Sequence, residues 1–418
     1  MEYNLKKRIV ITGLGTINSL GNNIEEFWAG IKTEKCGVGP ITRTDSTNLA
    51  TKIAAEVKNF IASEHMDSKD ARKMALCTQF AVIAAGEALK DAGLTEGTFN
   101  PERVGTILGN GIGGFEVTEA SHKVIFEKGP HRTPPLTIPK LISNEIPGNV
   151  AITYGLKGPC WVVTTACASS TDAIGNAVMT IQTGRADAIV TGGSEASLTQ
   201  LGIAGFNVIG ALSTKYNDCP EKASRPFDKD RDGFVIGEGA GCLVLEELEH
   251  AKARGAKIYA EIAGYGNTCD AYHLTAPNPE GEGAARAIKL ALEDAGMKPE
   301  NIDYVNAHGT STPTNDPIET KSIKTALGDH AYKVKISSTK SMTGHCIGAA
   351  GAIEAIICTL GIRDGFYPAT INLDEADPAC DLDYVPNKGI EAEMNVAMTN
   401  SLGFGGHNSI LIIKKYKD

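Results

Sequence analysis

Four short segments carry residue types that can do covalent chemistry together. The first is Val162-Val163-Thr164-Thr165-Ala166-Cys167-Ala168-Ser169-Ser170-Thr171-Asp172, where a β-branched run gives way to small residues and then an Ala-rich stretch. This pattern puts the Cys167 sulfur at a strand-to-helix elbow, beside the positive end of a helix dipole. Free backbone N–H groups there favour a thiolate and can hold an oxyanion. Spacing alone leaves a nucleophile and a buried structural cysteine equally open. The second segment, Val305-Asn306-Ala307-His308-Gly309-Thr310-Ser311-Thr312-Pro313-Thr314-Asn315-Asp316, delivers His308 from a strand onto a loop of hydroxyl and turn residues. The third runs from Ser338 to Gly351, with Lys340 five residues before His345 in a Gly/Ala string that allows close backbone approach. The fourth, Leu402-Gly403-Phe404-Gly405-Gly406-His407-Asn408, is a glycine turn presenting backbone N–H groups and one mobile aromatic. A lone loop histidine is more often structural. Two of them in the second half with a cysteine elbow in the first point to one composite site, because Cys with His is a nucleophile constellation.

The elements that position these segments follow from hydrophobic runs. Strands are predicted at 8–12, 104–108, 161–165, 188–192, 240–245, 302–306, 333–337, 396–401 and 409–414. Helices are predicted at 71–92, 171–183, 283–295, 318–326 and 349–360. Apolar strands alternating with helices indicate an α/β fold with sheets covered on both faces. Ala88-Leu89-Lys90-Asp91-Ala92-Gly93-Leu94 matches Ala291-Leu292-Glu293-Asp294-Ala295-Gly296-Met297, and Ala173-Ile174 with Thr180-Ile181 shadows Ala352-Ile353 with Thr359-Leu360. Two repeats in one order point to duplication, with halves 1–255 and 256–418 meeting near Arg254-Gly255-Ala256-Lys257. Gly13-Leu14-Gly15 follows the first strand without completing a dinucleotide fingerprint, and a Walker A sequence is absent.

Composition narrows the function further. The 418 residues include 40 Lys+Arg and 50 Asp+Glu, a net charge of −10 that argues against a nucleic-acid binder. Hydrophobic residues at 42% and charged ones at 22% suit a globular protein large enough to fold without staples. The ten cysteines show no C-x-x-C spacing, so no metal site is expected and the thiols read as reduced. The N-terminus passes straight into the first strand with no room for a signal peptide, and no apolar run reaches membrane-spanning length. A soluble, cytoplasmic protein is expected. Glycine is in excess at 46 residues, with many in turns around the four segments.

With TTACASS, AHGTSTPTND, STKSMTGHCIGAAG and SLGFGGHN in this order, the chain resembles the β-ketoacyl-acyl-carrier-protein synthases, most of all the elongating, synthase II type. The likeness runs from the first strand to Asn408. It implies a thiolase-like fold, two duplicated halves in five α/β/α/β/α layers, and a homodimer. It also implies an acyltransferase of fatty acid biosynthesis, joining malonyl units to a growing chain by decarboxylative condensation. Cys167 would accept the acyl chain, with the N–H groups of Cys167 and Phe404 as oxyanion hole. His308 and His345 would hold the malonyl thioester carbonyl, and Lys340 would support them electrostatically. Thr310 and Thr312 would touch the phosphopantetheine arm that arrives on acyl carrier protein, and Ile112 and Phe206 would line the acyl tunnel. Phe404 would gate entry of the second substrate. Glu354 would support the site or a monovalent cation, with no other cofactor expected. Lys69, Arg72 and Lys73, spaced i, i+3, i+4, would dock the acidic carrier, although the same pattern suits a solvated helix face. Ser170-Thr171-Asp172 departs from the Gly and Asn or His common in relatives. The same motifs would serve a ketosynthase of a polyketide or specialised lipid pathway. A non-catalytic chain-length subunit would lack the nucleophile, and a thiolase would carry a second cysteine where Phe404 stands.

Overall fold

The computed structural model describes residues 7–417. In the first half, β1 (Ile9–Asn18), α1 (Ile24–Lys32), α2 (Leu76–Asp91), β2 (Val104–Gly109), α3 (Phe115–Lys128) and α4 (Glu145–Tyr154) come first. They are followed by β3 (Cys160–Val163), α5 (Ser169–Gln182), β4 (Ala188–Glu195), α6 (Gln200–Val208) and β5 (Gly239–Glu247). The second half holds β6 (Ala260–Cys269), α7 (Glu282–Ala295), β7 (Tyr304–Asn306), α8 (Asn315–Leu327) and β8 (Lys335–Ser337). It closes with α9 (Ala350–Asp364), β9 (Val396–Gly403) and β10 (His407–Lys414).

The strand orders of the two halves are the same: β1-β5-β4-β2-β3 and β6-β10-β9-β7-β8. In each, the first three strands pair antiparallel and the last three parallel. The halves join where β1 meets β6 through three residue pairs, Ile9↔Ile262 to Ile11↔Ala260, giving one ten-stranded mixed sheet. Helices α5 and α9 pack against each other and touch strands of both halves, while α2 covers the outer face of the first and α7 that of the second. The layering is thus helix, sheet, paired central helices, sheet, helix. The largest apolar cluster fills the centre, with Ile174 and Val178 of α5 packed among Ile353, Ile356 and Ile357 of α9.

Glycines set how closely α2 and α7 approach their sheets. A Cβ at Gly13 or Gly15 would lie 2.1 or 2.0 Å from the carbonyl oxygens of Ala88 and Ala84. At Gly264 and Gly266 it would lie 2.3 and 2.2 Å from those of Ala291 and Ala287. Between each glycine pair a backbone N–H, from Leu14 or Tyr265, donates to the carboxylate of Asp91 or Asp294 at 3.0 Å. Gly13-Leu14-Gly15 is therefore a packing device, and the repeated helix ends, Ala88–Leu94 and Ala291–Met297, are its other face. Strand β6, which carries the second copy, was not predicted, because its glycines interrupt the apolar run.

Two expectations change. The helix predicted over 71–92 is a short turn, Ser68–Ala71, followed by α2 from Leu76, with Ala75 extended between them (φ −68°, ψ 161°). The first N–H of α2 donates to Glu116 of α3 at 2.8 Å, a cap forty residues away that local sequence does not reveal. The second repeat is out of register by two residues. Ala166 and Ile347 share a positive φ (51° and 44°) and each opens a 3-10 turn leading into α5 or α9. That equivalence has an offset of 181, whereas the Ala173 to Ala352 match has 179. Among the described residues no helix is long and apolar enough to cross a membrane.

Candidate active site

Cys167 sits between β3 and α5 on a turn that sterics alone would disfavour. Ala166 occupies the left-handed region, and the turn is wedged between two glycines. A Cβ at Gly109 would lie 2.3 Å from the Ser170 nitrogen, and one at Gly403 would lie 2.7 Å from the Thr165 carbonyl oxygen. Within the turn, the Thr165 N–H donates to Ser169 Oγ at 2.9 Å and that hydroxyl donates to the Ala166 carbonyl at 2.6 Å. The sulfur thereby faces the start of α5, approached by the N–H groups of Cys167 and Phe404.

His345 reaches the sulfur from the second half. Its N–H donates to the Val235 carbonyl at 2.7 Å and its carbonyl accepts from Gly237 at 2.8 Å, so a short bridge to 235–237 fixes the backbone. The ring packs edge-on to Phe234, and its Nε2 lies 3.0 Å from Cys167 Sγ. His308, just beyond β7, meets His345 with ring centroids 5.3 Å apart. One ligating atom from each of Cys167, His308 and His345 lies within 4.8 Å of the others.

Burial governs the charges. It pushes the Cys167 thiol up to about 12, against the pull of the Lys340 ammonium and the two N–H groups. Burial and then Lys340 hold both imidazoles well below 6.5, with His345 further lowering His308. Both rings are therefore neutral, able to donate a hydrogen bond without carrying charge. Lys340 is itself buried and paired with Glu354, whose carboxyl burial lifts to about 7 against the lysine's pull.

A cavity of about 320 Å³ opens on this cluster. Cys167, His308, His345, Phe404 and Phe206 line it, as do Thr310 and Thr312, whose hydroxyls lie 2.9 Å apart. Phe206 and Phe404 face each other across it at 6.4 Å. The turn bearing Phe404 is tied to the loop after β6: Gly405 N–H donates to the Leu274 carbonyl and Asp270 N–H to the Gly406 carbonyl, each at 2.8 Å. Asn408 adds a side-chain bond to Asp270 at 2.8 Å. Gly405 and Gly406 have φ of 88° and 78°, which suits glycine.

Other named residues lie apart. Ile112 follows β2 and does not line the cavity. Lys340 and Glu354 stand behind the cluster. Lys69, Arg72 and Lys73 are exposed on and after the short Ser68–Ala71 turn, and Lys73 pairs with Asp70 at 2.8 Å.

The sequence reading missed two carboxylates. Glu319 on α8 is buried and accepts the backbone N–H groups of His308 and Gly309, with Asn400 donating to it from β9. Its place four residues after Asn315 was the available signal. Glu195 at the end of β4 is buried and accepts from Gly111 at 2.8 Å and Gly348 at 3.2 Å, joining the loop before Ile112 to the segment after His345. Nothing local marks it.

Comparison with known proteins places these features in context. Residues 6–251 match the family model described as Beta-ketoacyl synthase, N-terminal domain, and residues 259–374 match Beta-ketoacyl synthase, C-terminal domain. The chain is 51% identical over 412 residues to 3-oxoacyl-[acyl-carrier-protein] synthase 2 of Synechocystis sp., covering 99% of each chain. It is 50% identical over 411 residues to the protein of the same name from Staphylococcus aureus, covering 98% of this chain and 99% of that one. Among solved structures, the ishigamide ketosynthase/chain length factor superposes with a TM-score of 0.92 at 39% identity, covering 99% of this chain and 100% of that one. A type II polyketide ketosynthase in complex with its acyl-carrier protein superposes at 0.90 with 35% identity over the same shares.

Proposed function

The chain belongs to the β-ketoacyl synthase family, acyltransferases that condense acyl chains, and on that premise we propose how its own groups carry fatty-acid elongation. The single observation that carries the assignment is the meeting of Cys167 with two neutral imidazoles and two backbone N–H groups in one cavity.

In the first step the Cys167 sulfur attacks the thioester carbonyl of acyl-carrier protein. The carrier's thiol leaves with the proton that Cys167 gives up, and the acyl chain remains on the enzyme. The N–H groups of Cys167 and Phe404 hold the oxyanion of the tetrahedral intermediate, where a water-excluded site makes such donors most effective. His345 Nε2–H, 3.0 Å from the sulfur, donates to the developing thiolate and offsets the high thiol pKa that burial imposes, keeping the same tautomer that serves the second step.

In the second step malonyl-carrier protein binds with its thioester carbonyl between His308 and His345. Loss of CO₂ breaks the C–C bond and leaves its electron pair on an enolate oxygen. Two neutral N–H donors stabilise that oxygen without protonating it, so the carbanion stays reactive. It attacks the acyl-Cys167 carbonyl, and collapse expels the Cys167 thiolate and a 3-oxoacyl chain two carbons longer.

Thr310 and Thr312 stand at the cavity where the phosphopantetheine arm would pass. Phe206 marks the acyl side, and Phe404 on its glycine turn moves between the two substrates. Ile112 would act on the acyl chain through the loop that Glu195 holds. Exposed Lys69, Arg72 and Lys73 would meet the acidic carrier, Lys73 exchanging Asp70 for a carrier carboxylate. β3 forms one edge of the sheet, and pairing with the same strand of a second copy would complete a homodimer. The ten free cysteines suit the cytoplasm. Behind the histidines, Glu354 Oε2 and Asn400 Oδ1 are buried without hydrogen-bond partners, and both border Glu319. Such hard oxygen donors fit a monovalent cation, which would steady the loop carrying His308.

The test is formation of 3-oxoacyl product from acyl- and malonyl-carrier protein, with and without Cys167→Ala. The substitution should abolish product while leaving slow malonyl decarboxylation, because the two imidazoles remain. Unchanged product would remove the mechanism.

A further inference from the structure

The Ser170-Thr171-Asp172 departure resolves into three bonds from the first turn of α5 to three different elements of the second half. Ser170 Oγ accepts the Ala352 N–H of α9 at 3.0 Å, and the Thr171 hydroxyl meets that of Ser401 on β9 at 2.7 Å. Asp172 makes the pair that bears on chemistry. Its Oδ2 accepts the Thr165 hydroxyl at 2.6 Å and its Oδ1 accepts the Tyr265 hydroxyl of β6 at 2.6 Å. The carboxylate is 5% exposed.

Each bond leads to one side of the oxyanion hole. Thr165 lies two residues before Cys167, and its own N–H is already held by Ser169, so the Asp172 bond fixes the strained side of the elbow. Tyr265 lies on the strand that ends at Cys269 and passes to Asp270, the anchor of the turn bearing Phe404. Its ring is seated on Gly175, where a Cβ would lie 2.4 Å away, so the phenol cannot swing freely. Burial and the adjacent carboxylate raise the Tyr265 phenol, which keeps it a donor at working pH.

We propose that Asp172 is a positioning residue, its carboxylate bridging the Thr165 and Tyr265 hydroxyls so that the Cys167 sulfur stays aligned with the N–H groups of Cys167 and Phe404. This rests on Cys167 being the acyl-accepting nucleophile. The two N–H groups come from different halves of the chain, and Asp172 is the buried charged group joining the elbow of one to the strand behind the other.

The test compares Asp172→Ala, Asp172→Asn and Tyr265→Phe with the unsubstituted protein. It reads alkylation of Cys167 by iodoacetamide, acyl-enzyme formation in a single turnover, and thermal unfolding. Asp172→Ala should slow alkylation and acyl-enzyme formation roughly 10- to 100-fold per folded molecule, the range expected for a misplaced reacting group. Tyr265→Phe, which keeps the ring on Gly175 and removes one bond, should slow both about 3- to 10-fold. Asp172→Asn accepts one hydroxyl and donates to the other, and should restore rates to within about threefold of the original. An alkylation rate in folded Tyr265→Phe and Asp172→Ala equal to or above the original, with only the melting temperature lowered, overturns the proposal in favour of a purely structural clamp. If Asp172→Ala does not fold, Tyr265→Phe decides. Alkylation needs no carrier protein, so absence of acyl-enzyme in the unsubstituted protein would count against the function and leave the positioning result standing.

Discussion

Both carboxylate oxygens of Glu319 are bonded to the backbone at His308: one accepts the His308 N–H and the other the Gly309 N–H, each at 2.7 Å. The histidine is thus placed through its main chain by a carboxylate on α8. Glu319→Gln turns one of those acceptors into a donor facing a buried N–H. Malonyl decarboxylation should fall roughly 10- to 100-fold, since charge-assisted bonds are among the stronger ones. Acyl-enzyme formation at Cys167 should stay within about threefold, because the elbow is untouched. CO₂ release and mass spectrometry of the acyl-enzyme report the two steps separately. An equal fall in both would show that Glu319 serves the whole fold and not His308.

The two imidazoles should not titrate where ordinary histidines do. Burial and Lys340 lower both below 6.5, so each ring stays neutral as pH falls through that value. Histidine ring signals in NMR titrations from about pH 7.5 to about 5.5 should be unmoved for these two residues. For stability the sign follows directly: below 6.5 the unfolded chain takes up protons that the folded one refuses. The pair's contribution is present above 6.5 and declines as pH drops beneath it. A midpoint near 6.5 for either ring contradicts the neutral-donor role.

Glu195 predicts the opposite slope. Burial raises its carboxyl from 4.5 to about 7, so between those values the unfolded chain has lost the proton and the folded one keeps it. Its stabilising contribution is complete below 4.5 and is lost as pH rises to about 7, on the order of 3 kcal/mol. Glu195→Gln should flatten this part of the profile, as urea unfolding at about pH 5 and about pH 8 would register. Identical pH slopes for both proteins would mean that Glu195 titrates normally.

The buried Lys340–Glu354 pair should break asymmetrically. Glu354, already lifted to about 7, can become neutral when its partner is removed, whereas Lys340 left alone strands a buried ammonium. Glu354→Leu should therefore cost about 3–5 kcal/mol and Lys340→Met clearly less. Lys340→Met should also slow Cys167 alkylation, because the ammonium is the main charge opposing the effect of burial on the thiol. Equal losses of stability, or unchanged alkylation, would set this account aside.

Much of the fold was legible because its signals are local. Nine strand positions showed as apolar runs, and the turn at Phe404 as glycines flanking one aromatic. What escaped depended on distant partners. α2 starts at Leu76 because Glu116 caps it, and β6 exists because Gly264 and Gly266 let α7 lie against them. The central helices carry similar residues in both copies, but the positive φ of Ala166 and Ile347, which no residue type announces, sets their true register.

By itself the sequence determined which residue types stand at which turns: a cysteine before an Ala-rich helix, a histidine just past a strand, and a second histidine in a Gly/Ala string. Those features depend on neighbours a few positions away, and the backbone reads them directly. Only the tertiary structure decided that Cys167 and His345, 178 positions apart, come within 3.0 Å, and that Glu319 and Asp172 hold the segments around them. It alone also decided the charge states, because the pKa of a thiol or imidazole follows the water it loses and the charges it meets. Both are set when the two halves close around α5 and α9.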